Sequence, residues 1–293
     1  MAPDSMTHVF ASYHPSVPFA FIAIASVFAM AAMHPVYVAL SFAGAFVLSL
    51  LVRGRVQTLR SLCWAVPMCA IVAVANPLFS ASGSTELFRL GGIAVYGESL
   101  AYGLCSGTMF ASVLLWLASY ARCMTGGNTL ALLGNVAPTV TLMTSQVLRL
   151  VPQFVSRGRT VSSVHDAASA AAPRSKSDAA RARLRIVSVL MEWGMEDGID
   201  RTDAMRARGY GCGTKRTTYK RLRFGRADAV AMALIVSLAL ANAPLMAAAC
   251  AQYAFYPTMS TLVVWWGYAV YGAFLAIPAA LRAKEWWQWR SST

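Results

Sequence analysis

Apolar positions in this chain gather into six long runs, at roughly 17–33, 36–52, 61–79, 98–121, 228–250 and 262–281. Each approaches the ~20 apolar residues with which a helix crosses a bilayer. Helices are expected there because hydrocarbon offers the backbone no hydrogen-bond partner, so every segment must satisfy its own amides. The first two runs are short, and His34-Pro35 between them marks a tight turn. The pattern predicts an all-α polytopic membrane protein with about six transmembrane helices.

Between the fourth and fifth runs the pattern changes to a polar segment, 122–227, with two readable helices. The first runs from about Pro138 to Ala172, apolar through Leu148, Val151, Phe154 and Val155, and polar after Ser156. Pro152 should kink it or divide it in two, and Pro173 stops it. PRSKSD (173–178) is a turn or a flexible link. Asp178 suits the N-cap of the second helix, which runs to Arg208. On it Leu184, Val187, Met191, Met195, Gly198, Thr202 and Met205 recur at steps of three and four. They form a narrow stripe able to lie on the other helix or on a membrane interface.

The charges of this second helix run against its dipole. Arg181, Arg183 and Arg185 stand near its start, while Glu196, Asp197, Asp200 and Asp203 stand toward its end. Glu192 with Glu196, and Glu196 with Asp200, are like-charge neighbours four apart, each costing roughly 0.2–0.5 kcal/mol. Either these charges meet a partner or they form a solvated face. The helix closes on Arg206, Ala207, Arg208 and Gly209. Glycine reaches the left-handed conformation of a helix C′ position without steric cost, and cations complement the negative helix end. Residues 211–213 turn the chain, and the basic run 214–226 returns it to an apolar segment, as a short amphipathic helix on anionic lipid. Residues 80–97 read as a solvated connector in preference to a short hairpin.

Charge fixes the expected orientation. The chain is 57% hydrophobic and 13% charged, with a net charge of +13. Of its basic residues, Arg53, Arg55 and Arg60 lie in one short loop, 18 lie in 122–227, and Arg282, Lys284 and Arg290 lie in the C-terminal tail. Six alternating spans put all three groups on one side, with both termini, and leave only Arg89 on the other. By the positive-inside rule that side is the cytoplasm. The basic excess is then a topological signal, and nucleic acid is not needed to explain it. Trp286, Trp287 and Trp289 beside Lys284 and Arg290 suit an interfacial anchor. No basic residue precedes the first apolar run, so it reads as a retained span rather than a signal peptide. The expected division is 1–121, N-terminal transmembrane helices; 122–227, cytoplasmic helices; and 228–293, C-terminal transmembrane helices and tail.

Catalytic and metal chemistry find little footing. Cys63, Cys69, Cys105, Cys123, Cys212 and Cys250 are scattered without CxxC spacing and read as packing residues. His8, His14, His34 and His165 are scattered too, and read as structural or solvated. GCGTKR (211–216) lacks the Gly-Lys-Ser/Thr of a nucleotide-binding loop, and there is no HExxH. The apolar runs hold almost no ionisable residue, against an ion pathway, and Glu98 reads as an interface residue. No cofactor and no metal site is expected.

In order and spacing, several segments resemble the transmembrane T component of energy-coupling factor (ECF) transporters, the family that includes the cobalt transport permease. They are HPSVPF (14–19), ANPLF with the loop that follows it (75–92), AYGLCSG (101–107), LRLVP (148–152), DAMRARGYG (203–211) and EWWQWR (285–290). The resemblance covers nearly the whole chain. It implies a non-enzymatic coupling subunit that joins two ABC ATPase subunits to a small membrane S component, which captures a vitamin or a transition-metal ion. The family carries two Ala-Arg-X motifs, one ending each long cytoplasmic coupling helix. Ala207-Arg208-Gly209, with Arg206, matches the second, and the resemblance implies that it contacts an ATPase. Ala168-Ser169-Ala170 stands where the first is expected, so that arginine is missing; Arg174 is nearby but follows Pro173.

Two other classes stay open on sequence. A membrane scaffold would use 122–227 as the docking platform for a different cytoplasmic complex. A self-sufficient secondary transporter or membrane enzyme would act alone, against the shortage of charge within the apolar runs.

Overall fold

The computed structural model describes residues 10, 13–79, 84–90, 93–168, 176–213, 223–256, 259–261 and 265–291. Contacts divide the chain into two units, Met1–Thr129 with Leu222–Thr293, and Leu130–Arg221. Among the described residues of the first unit the helices are α1 (Ser16–Ala31), α2 (Pro35–Arg53), α3 (Arg55–Phe79), α4 (Gly97–Cys123), α8 (Arg226–Gln252) and α9 (Gly267–Ser291). A short helix, α5 (Gly126–Val136), which the sequence reading passes over, follows α4. In the second unit stand α6 (Pro138–Ala168) and α7 (Lys176–Ala207).

Every apolar run yields a helix, but the helices are unequal. Among the described residues, α2, α3, α4 and α8 are long and apolar enough to cross a membrane. Helix α1 and the Gly267–Ala283 part of α9 are shorter apolar helices. The expected six spans therefore meet this criterion in four. The architecture is that of an all-α membrane protein with one small hairpin.

The outside of the first unit is apolar where a water-soluble protein would be polar. On α3, Trp64 is 80% and Ile71 68% exposed, and on α8 Val230 and Leu240 are each 70% exposed. Exposed apolar surface of this extent needs a non-aqueous neighbour. Inside, Phe21, Tyr37, Trp116, Tyr271 and Phe274 are fully buried around α1, α2, α4 and α9. Phe21 meets Trp116 edge-on at 5.8 Å and Phe274 at 5.1 Å, contacts that favour aromatic pairs. The Trp116 indole N–H donates to Ser41 Oγ at 3.3 Å, so this ring is buried without an orphan donor.

Helices α3 and α4 approach through small residues. A Cβ on Gly103 would lie 2.9 Å from the Ala73 carbonyl, and one on Gly107 2.9 Å from the Cys69 carbonyl. GLCSG (103–107) is thus a small-xxx-small seam, the spacing that lets two helix backbones touch. Asn76 Nδ2 donates to the Ser99 carbonyl at 2.9 Å and pins the far end of the same seam.

Turns depart from expectation in two places. The basic loop 53–60 collapses to a single residue. Gly54, at φ +80°, reverses the chain, and Arg55 already begins α3. Thr58 Oγ1 donates to the Gly54 carbonyl at 2.9 Å, which leaves Ser49 Oγ to donate to Thr58 Oγ1, also at 2.9 Å. Residues 80–97 include a hairpin instead of a plain connector: β1 (Glu86–Leu90) pairs antiparallel with β2 (Ile93–Tyr96). Glu98 is buried beneath it, and its carboxylate accepts from Ser84 Oγ, the Thr85 amide and Thr85 Oγ1. This carboxylate fastens the approach to the hairpin onto the first turn of α4. At the other junction His34 caps α2, its Nδ1 accepting from the Val36 amide at 3.3 Å with Pro35 at the first helical position.

A third junction joins residues far apart in sequence. Asp228, in the first turn of α8 and 7% exposed, accepts the His14 amide on Oδ1 and the Gly225 amide on Oδ2, each at 2.8 Å. One carboxylate thus ties the approach to α1 to the start of α8. The His14 ring packs edge-on against Phe224 and shares a 2.7 Å hydrogen bond with Ser16, so this histidine is structural.

Candidate functional site

The second unit is an antiparallel helical pair. Gln146 contacts Met205, Gln153 contacts Arg201, Phe154 contacts Trp193, and Gly158 faces Leu190, so α6 rises as α7 descends. Helix α6 runs unbroken through Pro152, so of the two outcomes expected there, a kink or a division, the division does not occur. One proline removes a single backbone donor, and the surrounding turns hold the helix together. Helix α7 starts at Lys176, so Asp178 lies within its first turn instead of capping it. A carboxylate there faces the positive end of the helix dipole.

The interface is built from side chains that hydrophobicity alone does not mark. Gly194 leaves room for Phe154, whose Cζ would stand 2.6 Å from a Cβ at that position. Phe154 and Trp193 meet at 5.2 Å, and the Arg157 guanidinium lies 3.6 Å over the Trp193 ring. Arg201 pairs with Asp197 one turn back and donates to Gln153 Oε1 at 2.7 Å. Asp197 and Arg201 are therefore consumed within the pair, while Glu192, Glu196, Asp200 and Asp203 remain exposed.

The apolar stripe read from the sequence lies on a different face. Leu184 is 67%, Met191 62% and Met195 66% exposed, while Met205 at its far end meets Gln146 of α6. Val140, Met143, Val147, Val151 and Val155 form a similar exposed row on α6, each at least half exposed. At ~100° per residue, each row is displaced from its helix's contact face by roughly a quarter to a third of a turn. Viewed from each helix's own N-terminus the sense is the same. In an antiparallel pair those displacements bring both rows to one side, so the pair presents a broad apolar face on one flank.

At the end of α7 the sequence expectation is met in detail. Gly209 has φ +79°, its amide donates to the Arg206 carbonyl at 2.9 Å, and the Tyr210 amide donates to the Met205 carbonyl at 3.0 Å. These two bonds form a Schellman motif. Its geometry ends the helix sharply, and Gly211 and Gly213, both at positive φ, turn the chain beyond it. Arg206, Ala207 and Arg208 are exposed, and neither arginine has an ion pair among the described residues. Two guanidinium groups thus stand on the last turn, available to planar acceptors such as carboxylates and carbonyls. Ala168 is the last residue of α6; Ser169 and Ala170, and with them Arg174, lie outside the described residues.

No protein-family model matches the chain, and no curated protein is significantly similar to it.

Proposed function

We propose that this chain is the non-catalytic transmembrane coupling subunit of an ECF-type ABC importer for a vitamin or a transition-metal ion. In this reading six spans cross the cell membrane, with both termini and the second unit in the cytoplasm. Two ABC ATPase subunits hydrolyse ATP, a small membrane S component binds the substrate, and this chain transmits motion between them. The observation that carries the reading is the end of α7. Two arginines without an ion pair among the described residues sit on a Schellman-capped terminus, on a two-helix unit with one broad apolar flank, in a chain otherwise built for lipid. Ala207, Arg208 and Gly209, with Arg206, are the ATPase contact; the apolar flank receives a membrane partner. Ala168, Ser169 and Ala170 form the degenerate first motif, so coupling leans on Arg208.

Uptake by membrane vesicles carrying the assembled complex tests this. Arg208→Ala should reduce transport about 30-fold or more, because losing one buried charge-assisted contact costs roughly 2–5 kcal/mol of binding. Arg208→Glu should abolish transport. Full transport by both variants would remove Arg208 from the role. The apolar flank also suits a scaffold for some other cytoplasmic complex, which predicts copurifying proteins without an ABC ATPase fold.

A further inference from the structure

Three arginines stand at the α2–α3 turn, and they are not equivalent. Arg53 Nη1 donates to Ser61 Oγ at 2.8 Å, and that hydroxyl donates in turn to the Gln57 carbonyl. Arg55 and Arg60 are exposed, with no ion pair among the described residues. Helix α4 runs antiparallel to α3, with Gly107 on Cys69 and Gly103 on Ala73, and brings a further exposed arginine, Arg122, to the same end. Helices α2, α3 and α4 carry one carboxylate between them, Glu98. It lies at the opposite end, beside the bond from Asn76 to Ser99, and is engaged there by Ser84 and Thr85. The basic end of α3 therefore holds positive charge that its own helices do not balance.

Arg60 stands in the middle of an apolar face. At ~100° per residue it lies about half a turn round from Cys69, Ala73 and Asn76, the side of α3 that packs on α4. Trp64, Ile71 and Val74 share its face within roughly 40°, and each is more than half exposed. The apolar stretch 62–79 of α3 is about 27 Å long at 1.5 Å per residue, close to the ~30 Å of a hydrocarbon core. Arg60 is thereby set at the edge of the hydrocarbon and Arg55 about 8 Å further out, among the headgroups. An arginine stem can lie along apolar surface while its charged head stays in the polar layer.

The two features call for one occupant with an anionic head and an apolar chain. A free anion or an acidic peptide would meet the arginines and leave the apolar face uncovered. A zwitterionic lipid would cover the face, but its own cation offsets what the arginines gain from its phosphate. We propose that this face of α3 binds an anionic phospholipid, its headgroup held by Arg55 and Arg60 and an acyl chain laid along Trp64, Ile71 and Val74. The site does not depend on the coupling role.

The test uses the full chain in mild detergent as wild type, Arg55→Gln, Arg60→Gln, the double variant, and Arg149→Gln, which removes an exposed arginine from α6. Each is supplied with equal amounts of dioleoylphosphatidylglycerol and dioleoylphosphatidylcholine, and native mass spectrometry counts the lipids retained. Wild type and Arg149→Gln should retain the anionic lipid in excess. Each single variant at α3 should lower that excess about three- to fivefold, as expected for one arginine at an anionic surface, and the double variant should bring it near the supplied ratio. Thermal unfolding supplies a second reading: the anionic lipid should stabilise wild type more than the zwitterionic one does, and the double variant equally with either. All four substitutions are at exposed positions, so folding should be kept. If wild type retains the two lipids as supplied, if the double variant keeps the wild-type excess, or if Arg149→Gln loses as much as Arg60→Gln, the face has no such selectivity and the proposal falls.

Discussion

Replacing Asp228 tests how the first unit is closed. Its carboxylate accepts two backbone amides, from His14 and Gly225, at 2.8 Å each, and it is 7% exposed. Hydrogen bonds to a charged group contribute about 1.5–3 kcal/mol apiece. Asp228→Asn keeps one acceptor oxygen but turns an amide NH₂ toward the other backbone donor, so about 2–3 kcal/mol should be lost. Asp228→Ala orphans both donors and should cost about 3–5 kcal/mol. At 25 °C a 2 kcal/mol loss shifts the folding equilibrium roughly 30-fold. The control is Asp200→Asn, an exposed carboxylate on α7, expected within ~0.5 kcal/mol of wild type. Unfolding in detergent, followed by tryptophan fluorescence, gives the ranking. Both Asp228 variants should unfold earlier, Ala before Asn, and Asp200→Asn with the wild type. If Asp228→Ala unfolds together with Asp200→Asn, the clasp between the approaches to α1 and α8 carries no weight and the reasoning fails.

Other perturbations address separate contacts. Gly107→Leu forces a side chain where a Cβ already lies 2.9 Å from the Cys69 carbonyl; it should part α3 from α4 and cost about 1–3 kcal/mol, read as a lower unfolding temperature. Burial lowers the His34 pKa from its ordinary 6.5, so the unfolded chain binds this proton more readily than the folded one. Stability should therefore be full above the unfolded value and decline as pH falls through it, and His34→Gln should flatten that part of the profile; a decline of equal size in the variant would assign it to another group. Trp193→Leu removes the ring under Arg157, 3.6 Å away, and should loosen the α6–α7 pair by about 1 kcal/mol, seen as faster amide exchange in both helices. Unchanged exchange would make that contact incidental.

What the sequence disclosed follows from which constraints are local. Apolar runs announce helices because a bilayer demands length, and all six runs became helices. The Gly209 terminus was legible for the same reason: a glycine after two arginines, closing an apolar-periodic helix, specifies its own cap. Contacts between distant residues were not. Nothing near Asp228 in sequence points to His14, 214 residues away. The face of α7 that meets α6 could not be singled out because its members include Gly194, Asp197 and Arg201, which no hydrophobic periodicity selects. The more apolar row through Leu184, Met191 and Met195 is the one left exposed. Gly103 and Gly107 were read as part of a family resemblance, while their physical role is the close approach of α3 and α4. In 53–60 polarity suggested a loop, yet Gly54 at positive φ made the whole turn, with Arg53 and Arg55 on the helix ends and Arg60 inside α3.

The central claim is that this chain couples ATPases to a membrane partner through the end of α7. The most direct measurement is quantitative mass spectrometry of what copurifies with the full chain from native membranes in mild detergent, for wild type and Arg208→Glu in parallel. The account predicts two ABC ATPase subunits and one small membrane protein in stoichiometric amounts with the wild type, and the ATPases depleted at least tenfold with Arg208→Glu, as the loss of a charge-assisted contact requires. Wild-type chain recovered without any ABC ATPase, or ATPases recovered equally with Arg208→Glu, would contradict it.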